Sequence, residues 1–375
     1  MKKLTLAEVI EGIEEPRRNR SVIYPLDEVL IIMLLAVIYG ATSYAKVEMF
    51  GKNKEEWLKK FLKLENGVPD ADTFRKVMMK IDSEQLHKVF NEWIRSTVAE
   101  ICGVVAIDGK EARRTKDKSK RPLHVVSAFA HESGLVLGQI ACEEKSNEIT
   151  AIPNLLEMLE INGCIVTIDA MGTQTEIAQR IVEKGADYIL TLKENQPNLY
   201  EDTKLFMEEY SKRPDILRSK EYHSITTNKG HGRIEKRECF ICDKIDWLSC
   251  KDKWAGLNGI GMIESTVQTA ETTSIQTHYF IYSCKNMTAK EVMQAKRAHW
   301  SIENSLHWVL DMTFREDQSR ARKDNSAENF NVLRHMAFNI LKLDKSTKGG
   351  LSDKQFMCAL DQNYFEKIIR LWICS

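Results

Sequence analysis

The chain has 375 residues, with 54 Lys plus Arg against 54 Asp plus Glu, so its formal net charge is zero. That balance excludes a global field able to gather a polyanion, and any nucleic-acid contact must rest on local patches. A composition of 43% hydrophobic and 29% charged residues excludes a low-complexity or disordered chain and leads us to expect two or three globular domains.

The opening MKKLTLAEVIEG runs into acids before an apolar stretch forms, which argues against a signal peptide. The longest apolar run, Val29 to Ala41, falls short of the roughly 20 residues that span a bilayer and reads as a buried helix. No membrane partner is expected, and a cytoplasmic protein is. Nine cysteines are scattered without a framework, as reduced thiols would be. Cys239 and Cys242 form a CxxC, but strand geometry points residues three apart to opposite faces, so ordinary buried thiols are expected there.

Residues 1 to about 100 read as helices, from PLDEVLIIMLLAVIYGA through KNKEEWLKKFLKL and DADTFRKVMMKI to SEQLHKVFNEWIRSTVAEI. NGVPDADTFRKVMMKID, with Gly and Pro as punctuation and an Asp cap, fits either a helix-turn-helix or a packing joint. From Val104 the period shortens: VVAIDGKEARR, PLHVVSAFAHE and GLVLGQIACEE read as three antiparallel strands. A helix (NEITAIPNLLEMLEI), a strand (CIVTIDAMG), a helix (TQTEIAQRIVEKG) and a strand (DYILTLK) follow, implying parallel additions. This is the ribonuclease H-like order, a mixed α/β sheet with flanking helices, in which the first and fourth strands are neighbours. A β-rich insertion is expected over about 198–284, then a helix from about Ala289 to Asp311, another in SAENFNVLRHMAFNILKLD, and a tail of short linker plus one last helix over 346–375. The catalytic unit would thus span 101–345.

Two apolar strands each end in an aspartate, VVAID at Asp108 and IVTID at Asp169, and the later helix AHWSIENSLHWVLD carries Glu303. Singly, each Asp suits a turn after a strand, as Gly109 alone would explain. Paired in this topology, they point to phosphodiester chemistry. Converging carboxylates need a cation between them, and oxygen ligands select Mg2+ or Mn2+, two of which can clamp the attacking and leaving oxygens. Glu316 and Asp317 in REDQSRARK rival Glu303 as the third acid. His299, Glu303 and His307, at intervals of four on one helix face, also admit a zinc reading. Trp300 and Trp308 suit packing better than base stacking.

Basic patches are local. In KEARRTKDKSKR, directly after Asp108, seven of twelve residues are Lys or Arg, a composition that suits phosphate contacts or a solvated hairpin. Lys110, Arg113 and Arg114 lie in it. Lys193 follows the fifth strand. His231, Arg233 and Arg237 sit in NKGHGRIEKRE, and Arg320 and Arg322 lie beyond the Glu303 helix.

At IDGKEARR, GLVLGQIACEEKSNEITAIPNLLEMLEINGCIVTIDAMGTQ, KENQP, KGHGRIE and HWSIENSLHWVLDMTFREDQSR, the chain resembles the H-repeat-associated proteins. These are insertion-sequence transposases of the ISAs type with DDE chemistry, and the likeness runs nearly end to end, including EEPRRNR, YPLDEVL and NGVPDADTF. The resemblance implies a ribonuclease H-like core with its triad on Asp108, Asp169 and Glu303, and it favours Glu303 over Glu316. It further implies metal held by those acids with Asp108 bridging two ions, double-stranded DNA as partner, and a homodimer joining two element ends. The sequence departs from the family at Thr173, where Cys is usual, and at Glu194, where Gly is usual. Against the wider group's helix pattern, His299 replaces an arginine and Leu310 a lysine, so roles at those positions are not carried over. A relic that binds DNA without transposing it, or a ribonuclease H-like nuclease, are the alternatives.

Overall fold

The computed structural model describes residues 3–18, 22–98, 100–116, 121–142, 147–230 and 232–374. Its centre is one nine-stranded mixed sheet. The strands are β1 (Val104–Ala112), β2 (Leu123–Ala130), β3 (Leu135–Cys142), β4 (Ile165–Ile168), β5 (Asp187–Leu192), β6 (His223–Gly230), β7 (Arg233–Cys242), β8 (Gly259–Gln268) and β9 (Thr273–Tyr282). They run in the order β3-β2-β1-β4-β5-β9-β8-β7-β6. β1, β2 and β3 pair antiparallel, while β4 and β5 add in parallel, with Ile107 of β1 opposite Ile168 of β4. The first five strands therefore have the ribonuclease H-like order expected from the sequence. Short apolar, β-branched runs such as VVAI and IVTI suit central strands covered on both faces.

The insertion does not stand apart from this sheet. β9 pairs antiparallel with β5, and β8, β7 and β6 continue outward as a meander, so the catalytic strands and the insertion share one hydrogen-bonded surface. Cys239 and Cys242 are free and buried in different apolar clusters on β7, as their opposite facing requires.

Val29 through Ile38 are each at most 2% exposed, so the helix Leu26–Ile38 is buried all round rather than along one stripe. It packs against Ser326–Leu343, which lies on the sheet's β3 side. Buried asparagines fasten that second helix. Asn339 both accepts from the Val136 N–H and donates to its carbonyl, satisfying an open edge of β3, and Asn329 donates to the carbonyls of Met78 and Ile81. Asp70 caps Ala71–Lys80 by accepting from the Thr73 N–H at 2.7 Å, as NGVPDADTF foretold. Two expectations need correction. The stretch from Ala289 to Asp311 is not one regular helix: Ala289–His299 is followed by a π-helical turn, Glu303–His307, and then Trp308–Met312. The tail holds two helices, Leu351–Leu360 and Gln362–Trp372, because Asp361 leaves helical geometry and caps the second.

Candidate active site

Asp108 does not end its strand. β1 continues to Ala112 because β2 still pairs with it, but β4 stops opposite Ile107, so Asp108 is the first β1 residue with no β4 neighbour. Nor is Gly109 a turn glycine. A Cβ there would collide with the buried His124–Glu148 pair, so close packing demands glycine. Asp169 follows the last residue of β4 and opens the 3-10 turn Ala170–Gly172, accepting from the Met171 N–H at 3.1 Å. Parallel register therefore sets the two aspartates side by side at one sheet end.

Glu303 reaches the same place from the helical layer. Asp108, Asp169 and Glu303 all line one cleft of about 380 Å³, together with Lys193, Lys296 and Trp300. Burial pushes the Asp108 carboxyl up to about 6, and the Asp169 and Glu303 charges add to this against the opposing pull of His307. Glu303, with a side chain 66% exposed, is held below the usual carboxylate range chiefly by His307. A carboxylate raised by burial among like charges fits a neighbouring cation, and the three carboxylates suit a hard divalent ion.

Glu316 and Asp317 lie elsewhere. Glu316 is 1% exposed and accepts from Lys110 Nζ at 2.6 Å and from Asn331. Lys110 also pairs with Asp311 at 2.7 Å and approaches Asp317 at 3.7 Å. Its ammonium is thus enclosed by acids and is not presented to the cleft, contrary to the phosphate contact expected of it. Arg113 is exposed but pairs with Asp317 at 3.4 Å, and the exposed Arg114 offers its carbonyl to Arg322 Nε at 2.9 Å. Arg320 is exposed. Positions 117–120 of the basic run, and His231, lie outside the described residues.

Lys193 is exposed at the cleft, just past β5. Arg233, paired with Glu235 at 2.7 Å, lines an adjoining groove that meets the cleft at Arg237, Arg297 and Trp300. Arg237 places its guanidinium 6.0 Å from the Trp300 ring centre and has two buried nitrogens, Nε and Nη1, without a partner.

Two cleft features escaped the sequence reading. Lys296 donates to Thr191 Oγ1, and burial lowers it to about 8 in spite of nearby Asp169. It stands seven residues before Glu303, two helical turns away on the same face, and that spacing was available in the sequence. The loop after Asp169 is clamped by the next loop: Asn195 donates to the Ala170 carbonyl at 2.7 Å and Gln196 to the Thr173 carbonyl at 3.0 Å. Thr173 itself is buried and donates to the Thr191 carbonyl, so its departure from Cys is accommodated by a hydrogen bond. The zinc trio is not assembled. Neutral, buried His299 faces Thr167 at 3.1 Å, with its ring pushed down to about 3 by burial, whereas His307 alone joins Asp108 and Glu303.

Among curated proteins, the chain is similar to "Putative transposase YncI" of Escherichia coli O157:H7, at 39% identity over 97% of this chain and 94% of that protein. It is 38% identical to "H repeat-associated putative transposase YhhI" of Escherichia coli strain K12, over 97% of each. Among solved structures, a piggyBac transposase synaptic complex with hairpin DNA gives a TM-score of 0.45 at 10% identity, covering 97% of this chain and 79% of that one. The family described as DDE_Tnp_1-associated matches residues 7–94, and the Transposase DDE domain matches residues 100–340. With most of its length inside that second match, and an acidic cleft at the junction of β1 and β4, the chain belongs to the DDE transposase family.

Proposed function

We propose that the chain is a DNA transposase that cuts at the ends of an insertion sequence and joins them to target DNA. The observation that carries this reading is the convergence of Asp108, Asp169 and Glu303 on one cleft that Lys193 and Lys296 also line. Asp108 and Asp169 would hold one divalent cation, magnesium or manganese, and Asp108 and Glu303 a second. When bound, such cations supply Lewis-acid charge that favours deprotonation of the attacking hydroxyl and steadies the departing oxygen.

The side chains do the placing. Lys296 and Lys193, beside the acids, hold the scissile phosphate by its non-bridging oxygens, which carry no sequence information. The Asn195 and Gln196 clamp fixes the Asp169 loop, so that carboxylate does not drift as DNA enters. In the first reaction a water oxygen bonds to phosphorus, the bond to the bridging 3′ oxygen breaks, and that oxygen leaves as a hydroxyl. In the second, this 3′-hydroxyl attacks a target phosphodiester and displaces the target's own 3′ oxygen. Arg113, Arg114, Arg233, Arg320 and Arg322 supply flanking backbone contacts. The helices of residues 1–100 and the β6–β9 extension would grip element ends. Two ends must be joined, which favours a homodimer on DNA. Purified protein with manganese and a duplex carrying the element's end should release a 3′-hydroxyl and then form strand-transfer products. Binding without either product would identify a relic, and cleavage without joining a nuclease.

A further inference from the structure

His307 is the side chain at this centre whose surroundings the carboxylate chemistry leaves unexplained. It is 4% exposed, and its Nδ1 lies 3.8 Å from Asp108 Oδ2 and 3.7 Å from Glu303 Oε2. A direct imidazolium–carboxylate hydrogen bond would close to about 2.8 Å on one partner. Here the ring nitrogen stands back from both oxygens almost equally, and the three donor atoms lie within 4.8 Å of one another. Metal–ligand bonds of about 2.1 Å put neighbouring ligand atoms roughly 3–3.5 Å apart. Small rotations of the Asp108 and Glu303 carboxylates would close the difference.

We propose that His307, through Nδ1, ligates the cation held by Asp108 and Glu303, making that position a two-carboxylate, one-imidazole site that takes manganese in preference to magnesium. The proposal rests on the metal-dependent reading above. Magnesium keeps to oxygen donors and its own waters, whereas an imidazole nitrogen suits first-row transition ions.

Two features independent of the acids support it. His307 Nε2 is buried with no protein partner, and His307 borders a cavity of about 10 Å³ lined also by Lys110, Glu316, Asn331 and His335. That space is about the size of one water, which would accept from Nε2–H and leave the Nδ1 lone pair aimed at the carboxylates. The π-helical turn, moreover, runs from Glu303 to His307, so the backbone departs from α geometry over the segment that carries both donors. Such π-turns recur at functional sites.

The test is pulsed electron paramagnetic resonance on the full chain with Mn2+ bound, read for coupling to a directly bonded imidazole nitrogen. The coupling is expected in the wild type, absent in His307→Gln, and retained in His278→Gln and His299→Gln. Should His307→Gln fail to fold, persistence in the other two variants assigns the nitrogen by elimination. By calorimetry, His307→Gln should weaken Mn2+ binding by about tenfold or more and Mg2+ binding far less. Mn2+ bound without nitrogen coupling overturns this inference and leaves the proposed function standing. A wild-type protein that binds no Mn2+ overturns the metal-dependent reading, and this proposal with it.

Discussion

At the scale of single residues, function and stability oppose each other at Asp108. Its folded-state carboxyl, raised to about 6, lies above the ordinary aspartate value, so between about pH 4 and 6 the folded protein binds more protons than the unfolded chain. Stability therefore falls as pH rises through that window. Asp108→Asn should stabilise metal-free protein in chelator at pH 7.5 by on the order of 2 kcal/mol, and the gain should vanish near pH 4, as denaturant titrations at the two pH values would reveal. Lys296 gives a second pH signature. Lowered to about 8, its ammonium is present below that pH and lost above it. Affinity for a duplex should fall between pH 7 and 9 in the wild type and stay flat in Lys296→Arg, by fluorescence anisotropy. The aspartate pair was legible because strand order alone makes β1 and β4 neighbours. His307 was only half legible: intervals of four through Glu303 grouped it with His299 on one face, but the break at Trp300 and the π-turn direct the two rings to different partners.

Among the elements, the network around Lys110 joins β1 to the Trp308–Met312 helix and the short Glu316–Gln318 turn. Glu316 is held below the usual glutamate range, with Lys110 the largest favourable influence against the cost of burial. A depressed carboxylate contributes stability that is present above its unfolded value and lost as pH falls through the folded one. Glu316→Gln should cost roughly 3 kcal/mol at neutral pH, with a shallower loss of stability in acid than the wild type shows. Thermal melts across pH 3 to 7 check both. Sequence could not reveal this use of Lys110, because the acids that enclose it come far later in the chain, 201 positions on for Asp311 and 206 for Glu316, and a basic run looks solvated until its partners are placed. The β-rich character of the insertion was readable from its strand-like stretches. Its pairing onto β5 was not, since an antiparallel match of β9 carries no local mark.

For the whole molecule, the apolar helix Leu26–Ile38 and the Ser326–Leu343 helix bury each other across nearly the full length of the chain. The family boundary near residue 100 is accordingly not a boundary in the core. A fragment beginning at residue 100 would expose the apolar surface of Ser326–Leu343 and should be recovered insoluble or without a cooperative unfolding transition, by sedimentation and circular dichroism. Net charge was an accurate guide at this scale: it excluded a global field, and the basic groups near the cleft are indeed local, several of them already paired with acids. In the proposed function, three acids drawn from β1, the end of β4 and the π-turn form one DNA-cutting and DNA-joining centre. Its most direct test is the strand-transfer yield from a labelled element-end duplex with manganese, compared among wild type, Asp108→Asn, Asp169→Asn and Glu303→Gln at equal DNA occupancy. Joined product is expected from the wild type, with a loss of at least about a hundredfold in each variant. Joining that survives any one of the three substitutions would contradict it.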